Sequence, residues 1–329
     1  MRFSSTFVFS LIVLFSFNSS EGSQNSIQSI DIKTRMAWVA PNEHHPIIGY
    51  SIHKQSNHGV YVSVGTERSF MGAAVTGATA LYVIDLDPDV AHFVQINKAL
   101  LAASTCIEDY RNLRLAATAA DWKLRAPGQN VADQKILEDA NEWEYWNTYV
   151  RNNYEWESGF QKLATESIQP TDPFFGYNYL FDKQLYQVVF GLAKNQKIFT
   201  KILDFKDEGA VRSVFQEIHN KGWSVGVVDT SNVHDYVENS GTANYTKWII
   251  DYVQPNTQFM STHVYWDYGA WTCWHYLGYS GAIISQMDVS DLTNRITQWD
   301  NLLDHSPDLR GVSNDQEMDR YHFTCPQDR

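Results

Sequence analysis

The chain has 329 residues, 43% of them hydrophobic, enough for one large core or one core plus a helical appendage. Lys and Arg number 25 against 38 Asp and Glu, a formal charge of −13. That balance argues against nucleic acid and anionic membrane surfaces as partners, because phosphate binding needs a basic face.

The N-terminus reads as an export signal. Arg2 supplies a positive start, Phe7 to Phe17 is an apolar run, and Ser20-Glu21-Gly22 ends in small residues suited to cleavage. The run is too short and too early for an ordinary spanning helix. Residues 1–22 are therefore expected to be a signal peptide, 23–305 one α/β domain and 306–329 an irregular polar tail. The mature chain would be secreted, lumenal or periplasmic, with no transmembrane segment; the rival is an uncleaved signal anchor. Export would allow the three cysteines one disulfide, with Cys273–Cys325 the expected pair and three unpaired thiols the alternative. No C-x-x-C occurs, which disfavours a zinc ribbon or a thioredoxin-type site. His44, His45, His53 and His58 lack a carboxylate at ligand-like spacing and read as surface histidines, and Pro46 to Tyr50 as a short lead-in strand. Asn244-Tyr245-Thr246 is a glycosylation sequon, usable in a eukaryotic host.

Gly59 to Leu100 reads as strand, tight turn, helix, strand, acidic turn, helix. Val60 to Val64 is a β-branched and aromatic run that stops at Gly65, and Leu81-Tyr82-Val83-Ile84 is a second that stops at Asp85-Leu86-Asp87-Pro88-Asp89. Gly65 and Asp85 lie twenty positions apart, about the spacing between the glycine turn of a nucleotide-binding βαβ unit and the acid that receives the ribose hydroxyls. A glycine admits close backbone approach, and the following helix aims its N–H groups at the same place. A full G-x-G-x-x-G is absent, since Thr66, Glu67 and Arg68 follow Gly65. Glu67, an acid near the phosphate position, favours a ligand with a cationic or neutral middle over a pyrophosphate. S-adenosylmethionine fits that better than NAD.

Ala91 to Ser104 reads as a helix with Phe93, Ile96 and Leu100 on one face. Within residues 105–196, Arg111 to about Thr165 changes character: Ala, Glu, Asn and Trp are frequent, Trp143, Trp146 and Trp156 punctuate the run, and Pro127-Gly128 breaks it. This predicts a helical insertion between the second and third strands, its aromatics serving packing, with substrate capping as the sharper alternative. Pro170 to Pro173 marks a linker, and Tyr179 to Gln196 a helix. Lys197 to Phe205 follows as a strand, then Glu208 to Asn220 as a helix with Val211, Val214, Phe215 and Ile218 at helical spacing and Gly222 past its end. Trp223 to Val228 is a fourth strand ending in Asp229-Thr230-Ser231-Asn232, and Tyr245 to Val253 a helix stopped by Pro255. Gln258 to Tyr265 and Trp274 to Ser285 are the last strand candidates, and Ser290 caps a final helix.

Strands alternating with helices imply a mostly parallel sheet flanked by helices. Ligands of such sheets bind at the carboxyl ends of the strands, where the turns at Gly65-Thr66-Glu67, Asp85-Leu86-Asp87, Asp204-Phe205 and Asp229-Thr230-Ser231-Asn232 would converge.

The arrangement resembles class I S-adenosylmethionine-dependent methyltransferases, which have a Rossmann-like fold. It is more closely similar to a little-characterised bacterial family of that fold. The matching segments are Val64-Gly65-Thr66-Glu67-Arg68-Ser69-Phe70, Leu203-Asp204-Phe205, Ala210-Val211-Arg212 and Ser231-Asn232-Val233-His234-Asp235-Tyr236, over about residues 55–260. The departure is Asp85-Leu86-Asp87-Pro88-Asp89, where an Asp followed by basic residues belongs. The resemblance implies S-adenosylmethionine as cofactor: Gly65 and Glu67 at the methionine part, Asp85 at the ribose and Asp204 with Phe205 at the adenine, with Thr66, Asp87 and Asp229 as further cofactor-binding positions. Ser231, Asn232 and Tyr236 would face a methyl acceptor, with His234 or Asp235 as base where a proton must leave. Three other readings stand beside it. A non-catalytic binding protein for a small molecule keeps the fold and suits an exported chain, because the cofactor is made in the cytosol. A glycosyltransferase would use Asp85-Leu86-Asp87 as a D-x-D for Mn²⁺ and a nucleotide-sugar. A phosphatase with Asp85 as nucleophile is the weakest, since Asp89 stands where Thr or Val belongs.

Overall fold

The computed structural model describes residues 56, 58–151, 178–231, 233, 239–267, 270–280, 285, 286 and 289, with 239–242, 262–267 and 270–280 described by their backbone. The signal segment, His44, His45, His53, the lead-in strand, Trp156, the 170–173 linker, the Ser290 helix, Cys325 and the tail lie outside the described residues.

Six strands form one sheet in the order β3-β2-β1-β4-β5-β6. They are β1 (Val60–Ser63), β2 (Ala80–Asp85), β3 (Ile198–Ile202), β4 (Val225–Asp229), β5 (Gln258–Asp267) and β6 (Ala270–Ser280). The first five run parallel, and β6 closes the edge antiparallel to β5. The order reverses between β1 and β4, which is the topological switch point of a Rossmann-like α/β fold.

Side-chain alternation sends each strand's apolar residues to two separate cores. Tyr61, Leu81, Val83 and Val227 pack under α1 (Glu67–Val75) and α2 (Pro88–Ala103). Val60, Val62, Tyr82, Ile84 and Val228 pack on the other face, beneath α8 (Glu208–Asn220) and α9 (Asn239–Ile249).

Between α2 and β3 the chain forms the expected insertion: α3 (Ile107–Arg114), α4 (Ala119–Lys123), α5 (Val131–Glu138), α6 (Ala140–Tyr145), a π-helical turn (Trp146–Val150) and, after residues 152–177, α7 (Lys183–Lys194). It extends the first core, since Trp122, Trp146, Tyr110, Tyr145 and Tyr179 are buried continuously with Phe70 and Phe93. Three indoles of the insertion have a defined polar role. At and just past the end of α3, the Trp122 N–H donates to the Leu113 carbonyl at 2.7 Å, the Trp146 N–H to the Arg114 carbonyl at 3.1 Å and the Trp143 N–H to the Ala116 carbonyl at 3.1 Å. Carbonyls at a helix end have no partner within the helix, and a buried end requires one.

Several boundaries differ from expectation, and caps account for most of the shifts. α2 starts at Pro88, not Ala91, because Asp87 accepts the Asp89 N–H at 2.8 Å and Pro88 occupies the first helical position. α7 starts at Lys183, not Tyr179, because Asp182 accepts from Gln184 and Leu185; Tyr179 is left in the preceding turn, facing the core. β3 stops at Ile202, short of Phe205, where Asp204 accepts the Lys206 N–H at 2.9 Å and turns the chain. β4 starts at Val225 because Gly222, at φ +70°, still belongs to the exit of α8. α9 runs from Asn239 to Ile249, earlier than expected, and a 3₁₀ turn follows it. β6 lies at Ala270–Ser280, earlier than the expected 274–285, so that it forms a tight hairpin with β5. Among the described residues no helix is long and apolar enough to cross a membrane.

Candidate functional site

Parallel strands bring the ends of β1 to β4 to one rim. Val64 N–H donates to the Asp229 carbonyl at 3.2 Å, Leu203 N–H to the Asp85 carbonyl at 2.9 Å and Thr230 N–H to the Met260 carbonyl at 2.9 Å. Each strand exit is thereby stitched to its neighbour.

Gly65 takes φ +82°, a conformation that disfavours a side chain, and donates its N–H to Asp85 Oδ2 at 3.0 Å. Asp85 Oδ1 accepts the Asp87 N–H, also at 3.0 Å. The glycine turn and the second-strand acid are therefore in direct contact. Burial pushes the Asp85 carboxyl above its ordinary value, against the opposing pull of the Asp87 and Gly65 N–H groups. Two aliphatic side chains beside it are unusually open: Leu86 is 64% exposed, and Ile202, the register partner of Asp85 on β3, is 57% exposed.

The rest of the expected ligand set is distributed differently. Thr66 is buried. Glu67 does not face the crevice: it is 0% exposed, with its carboxylate 2.5 Å from the Arg114 guanidinium and accepting the Tyr179 hydroxyl at 2.5 Å. Its charge is neutralised inside the core, so Glu67 sets no bar to a pyrophosphate at the Gly65 turn. Asp87 spends its side chain on the cap of α2. Asp229, 1% exposed, accepts Arg68 at 2.6 and 2.8 Å and the Tyr61 hydroxyl at 2.7 Å. Arg68 also donates to Ser231 Oγ at 2.6 Å, and Ser231 holds the left-handed φ of +49°. This Arg68–Asp229–Ser231 bridge spans the switch point, and the Arg68 stem passes 3.6 Å from where a β-carbon on Gly65 would lie. Asp204 is exposed at its own turn, and Phe205 packs against Tyr245 on the α8–α9 side, ring centroids 5.3 Å apart. The structure thus joins Gly65, Asp85 and Asp87 in one cluster and Asp229 with Ser231 in another, while the Phe205 ring belongs to the opposite core. Asn232, His234, Asp235 and Tyr236 lie outside the described residues.

Sequence reasoning passed over Arg68, Tyr61, Arg114 and Tyr179. A signal for the first was present: Glu67 and Arg68 open a helix that continues Ser-Phe-Met-Gly-Ala-Ala-Val, with no further charge. Charges at the head of so apolar a helix need buried partners. Among the described residues, no three His, Cys, Asp or Glu side chains assemble as a metal site. The sequon falls on α9, where Thr246 is buried.

A family profile described as a domain of unknown function, DUF7790, matches residues 38–282. No curated protein matches the chain. The matched segment contains all six strands and the helical insertion, and the chain belongs to the DUF7790 family.

Proposed function

We propose that the rim binds S-adenosylmethionine and that the protein is an exported, methyltransferase-like member of its family. The observation that carries this reading is the 3.0 Å contact between the Gly65 N–H and the Asp85 carboxylate. Each Asp85 oxygen accepts one backbone N–H and keeps a lone pair, which suits it to two vicinal hydroxyls of a ribose. Leu86, next in the chain, and Ile202, the register partner on β3, offer exposed apolar surface near that acceptor, the chemistry a purine face requires. When bound, the cofactor supplies an activated methyl group. The protein's part is alignment, with Gly65 admitting the ligand close to the backbone and Asp85 fixing its ribose. Ser231, Asn232 and Tyr236 would face the acceptor, and His234 or Asp235 would take a proton where the acceptor must lose one.

A non-catalytic binding protein is the second reading, favoured by the Arg68–Asp229–Ser231 bridge, which commits the polar groups at the switch point to one another. Calorimetric titration of the chain with S-adenosylmethionine, S-adenosylhomocysteine and UDP-sugars plus Mn²⁺ separates the readings. Binding of the first two that Asp85→Ala abolishes supports the proposal, with methyl transfer to an acceptor deciding against the non-catalytic form. Nucleoside binding that survives Asp85→Ala overturns it, as does no binding at all. Metal-dependent UDP-sugar binding lost in Asp87→Ala points instead to a glycosyltransferase.

A further inference from the structure

Glu67 and Arg68 are neighbours in the first turn of α1, yet they are held from different directions. Arg68 reaches β4 through Asp229 at 2.6 Å. Glu67 reaches into the insertion through Arg114 and Tyr179, both at 2.5 Å. Behind Glu67 the network closes on itself. Arg114 donates to the Tyr110 hydroxyl at 2.9 Å, Tyr110 donates to Asn97 Oδ1 at 2.5 Å, and Asn97 donates back to the Tyr179 hydroxyl at 3.1 Å. The Arg114 guanidinium also lies over the Trp146 ring, 5.0 Å from its centroid. Burial holds both tyrosines as neutral phenols, able to donate.

Such a network is a poor device for stability alone. Desolvating a buried ion pair is costly, and apolar side chains of similar size often serve a core as well or better. What directional bonds add is a defined position. The position defined here is that of a residue two places beyond Gly65.

We propose that Glu67, Arg114 and Tyr179 are positioning residues for the rim: through them the helical insertion sets the geometry of the Gly65 turn, and so the affinity of a site that none of the three touches. The affinity part rests on the ligand reading given above. The structural part, insertion controlling turn, stands without it.

Hydrogen exchange of the amides of residues 65–70 tests the structural part, and S-adenosylhomocysteine titration the affinity part. Tyr179→Phe deletes one hydroxyl and keeps the ring. Glu67→Gln with Arg114→Met removes both charges together, so that neither is stranded. Leu137→Ala, a buried position of the insertion outside the network, is the control for a general loss of stability. The expected result is roughly tenfold faster exchange at residues 65–70 and about tenfold weaker S-adenosylhomocysteine binding in Tyr179→Phe and in the double variant, a loss of about 1.4 kcal/mol. Leu137→Ala should lower the Tm without either change. Equal exchange at residues 65–70 in Tyr179→Phe and Leu137→Ala overturns the proposal. So does faster exchange with unaltered affinity in a chain that binds the ligand. If the wild-type chain binds no S-adenosylhomocysteine, the ligand reading fails, and the exchange comparison alone decides whether the insertion positions the turn.

Discussion

The hydroxyl of Tyr61 occupies the space that a side chain at Gly72 would need. A β-carbon built there falls 2.0 Å from that oxygen, and from the same place Tyr61 donates to Asp229 at 2.7 Å. The absence of a side chain on α1 is therefore what lets β1 reach across to the bridge at the switch point. Gly72→Ala is expected to cost about 1–3 kcal/mol through overpacking. Tyr61→Leu is expected to be destabilising as well, and the two together less so than their sum, because Tyr61→Leu removes the phenol that a β-carbon at position 72 would strike. Urea unfolding of the two single variants and the double variant measures this, and strict additivity would refute the geometry.

Ligand affinity should depend on pH through Asp85. Its carboxyl is raised above the ordinary 3.8 by burial, and a hydroxyl acceptor at this place works best ionised. Affinity is expected to fall as the pH drops through a midpoint above 3.8, measured by titration calorimetry across the acid range. The linkage for stability has the opposite sense. A carboxyl raised by folding binds its proton more tightly in the folded state, so its contribution favours folding below that raised value and is lost as the pH rises through it.

Glu217 behaves in the reverse manner. Burial pushes its carboxyl up, but hydrogen bonds from Lys201, Lys221 and Tyr82 outweigh that and leave it at about 2, against an ordinary 4.5. Its contribution to stability is present above pH 4.5 and is lost as the pH falls toward 2. In Glu217→Gln the urea midpoint should therefore decline less steeply across that window. Parallel acid limbs for the two proteins would show that this cluster, which places Lys221 over the Phe199 ring at 4.1 Å, holds no proton-linked free energy.

Trp122→Phe keeps an aromatic ring in the buried place but removes part of its volume and the N–H that the Leu113 carbonyl accepts. The Leu113 carbonyl still accepts the Ala116 N–H at 3.3 Å, so the lost indole bond costs about 0.5–1.5 kcal/mol, with the lost ring volume in addition. The loss should appear in thermal denaturation, together with faster exchange at the end of α3. A fully stable variant would mean that water replaces the indole there.

Much of this fold was legible in the sequence. The apolar spacing of Val211, Val214, Phe215 and Ile218 delimits α8 to the residue, and the separation of Gly65 from Asp85 anticipates their contact. The readings that failed share a cause. Periodicity registers apolar faces, but it does not tell a carboxylate that faces solvent from one that caps a helix, as Asp87 does, or one neutralised by a distant cation, as Glu67 and Asp229 are. Their partners Arg114 and Arg68 lie far from them in sequence, and no local pattern pairs residues at such separations. Tyr179 was hidden by a cap: with Asp182 ending the preceding turn, the tyrosine faces the core instead of opening α7.

Strand order also has a consequence for synthesis. The centre of the sheet is the pairing of β1 with β4, and Tyr61 and Asp229 are 168 positions apart. At about 5–20 residues per second, a ribosome takes roughly 10–30 s to travel between them. Through most of that interval the nascent β1–β2 pair carries two open hydrogen-bonding edges, the β2 edge until β3 is made and the β1 edge until β4, and the wide insertion emerges before either partner strand. The most vulnerable moment in the life of this protein therefore falls midway through translation, when a chaperone has an unpaired strand to shelter.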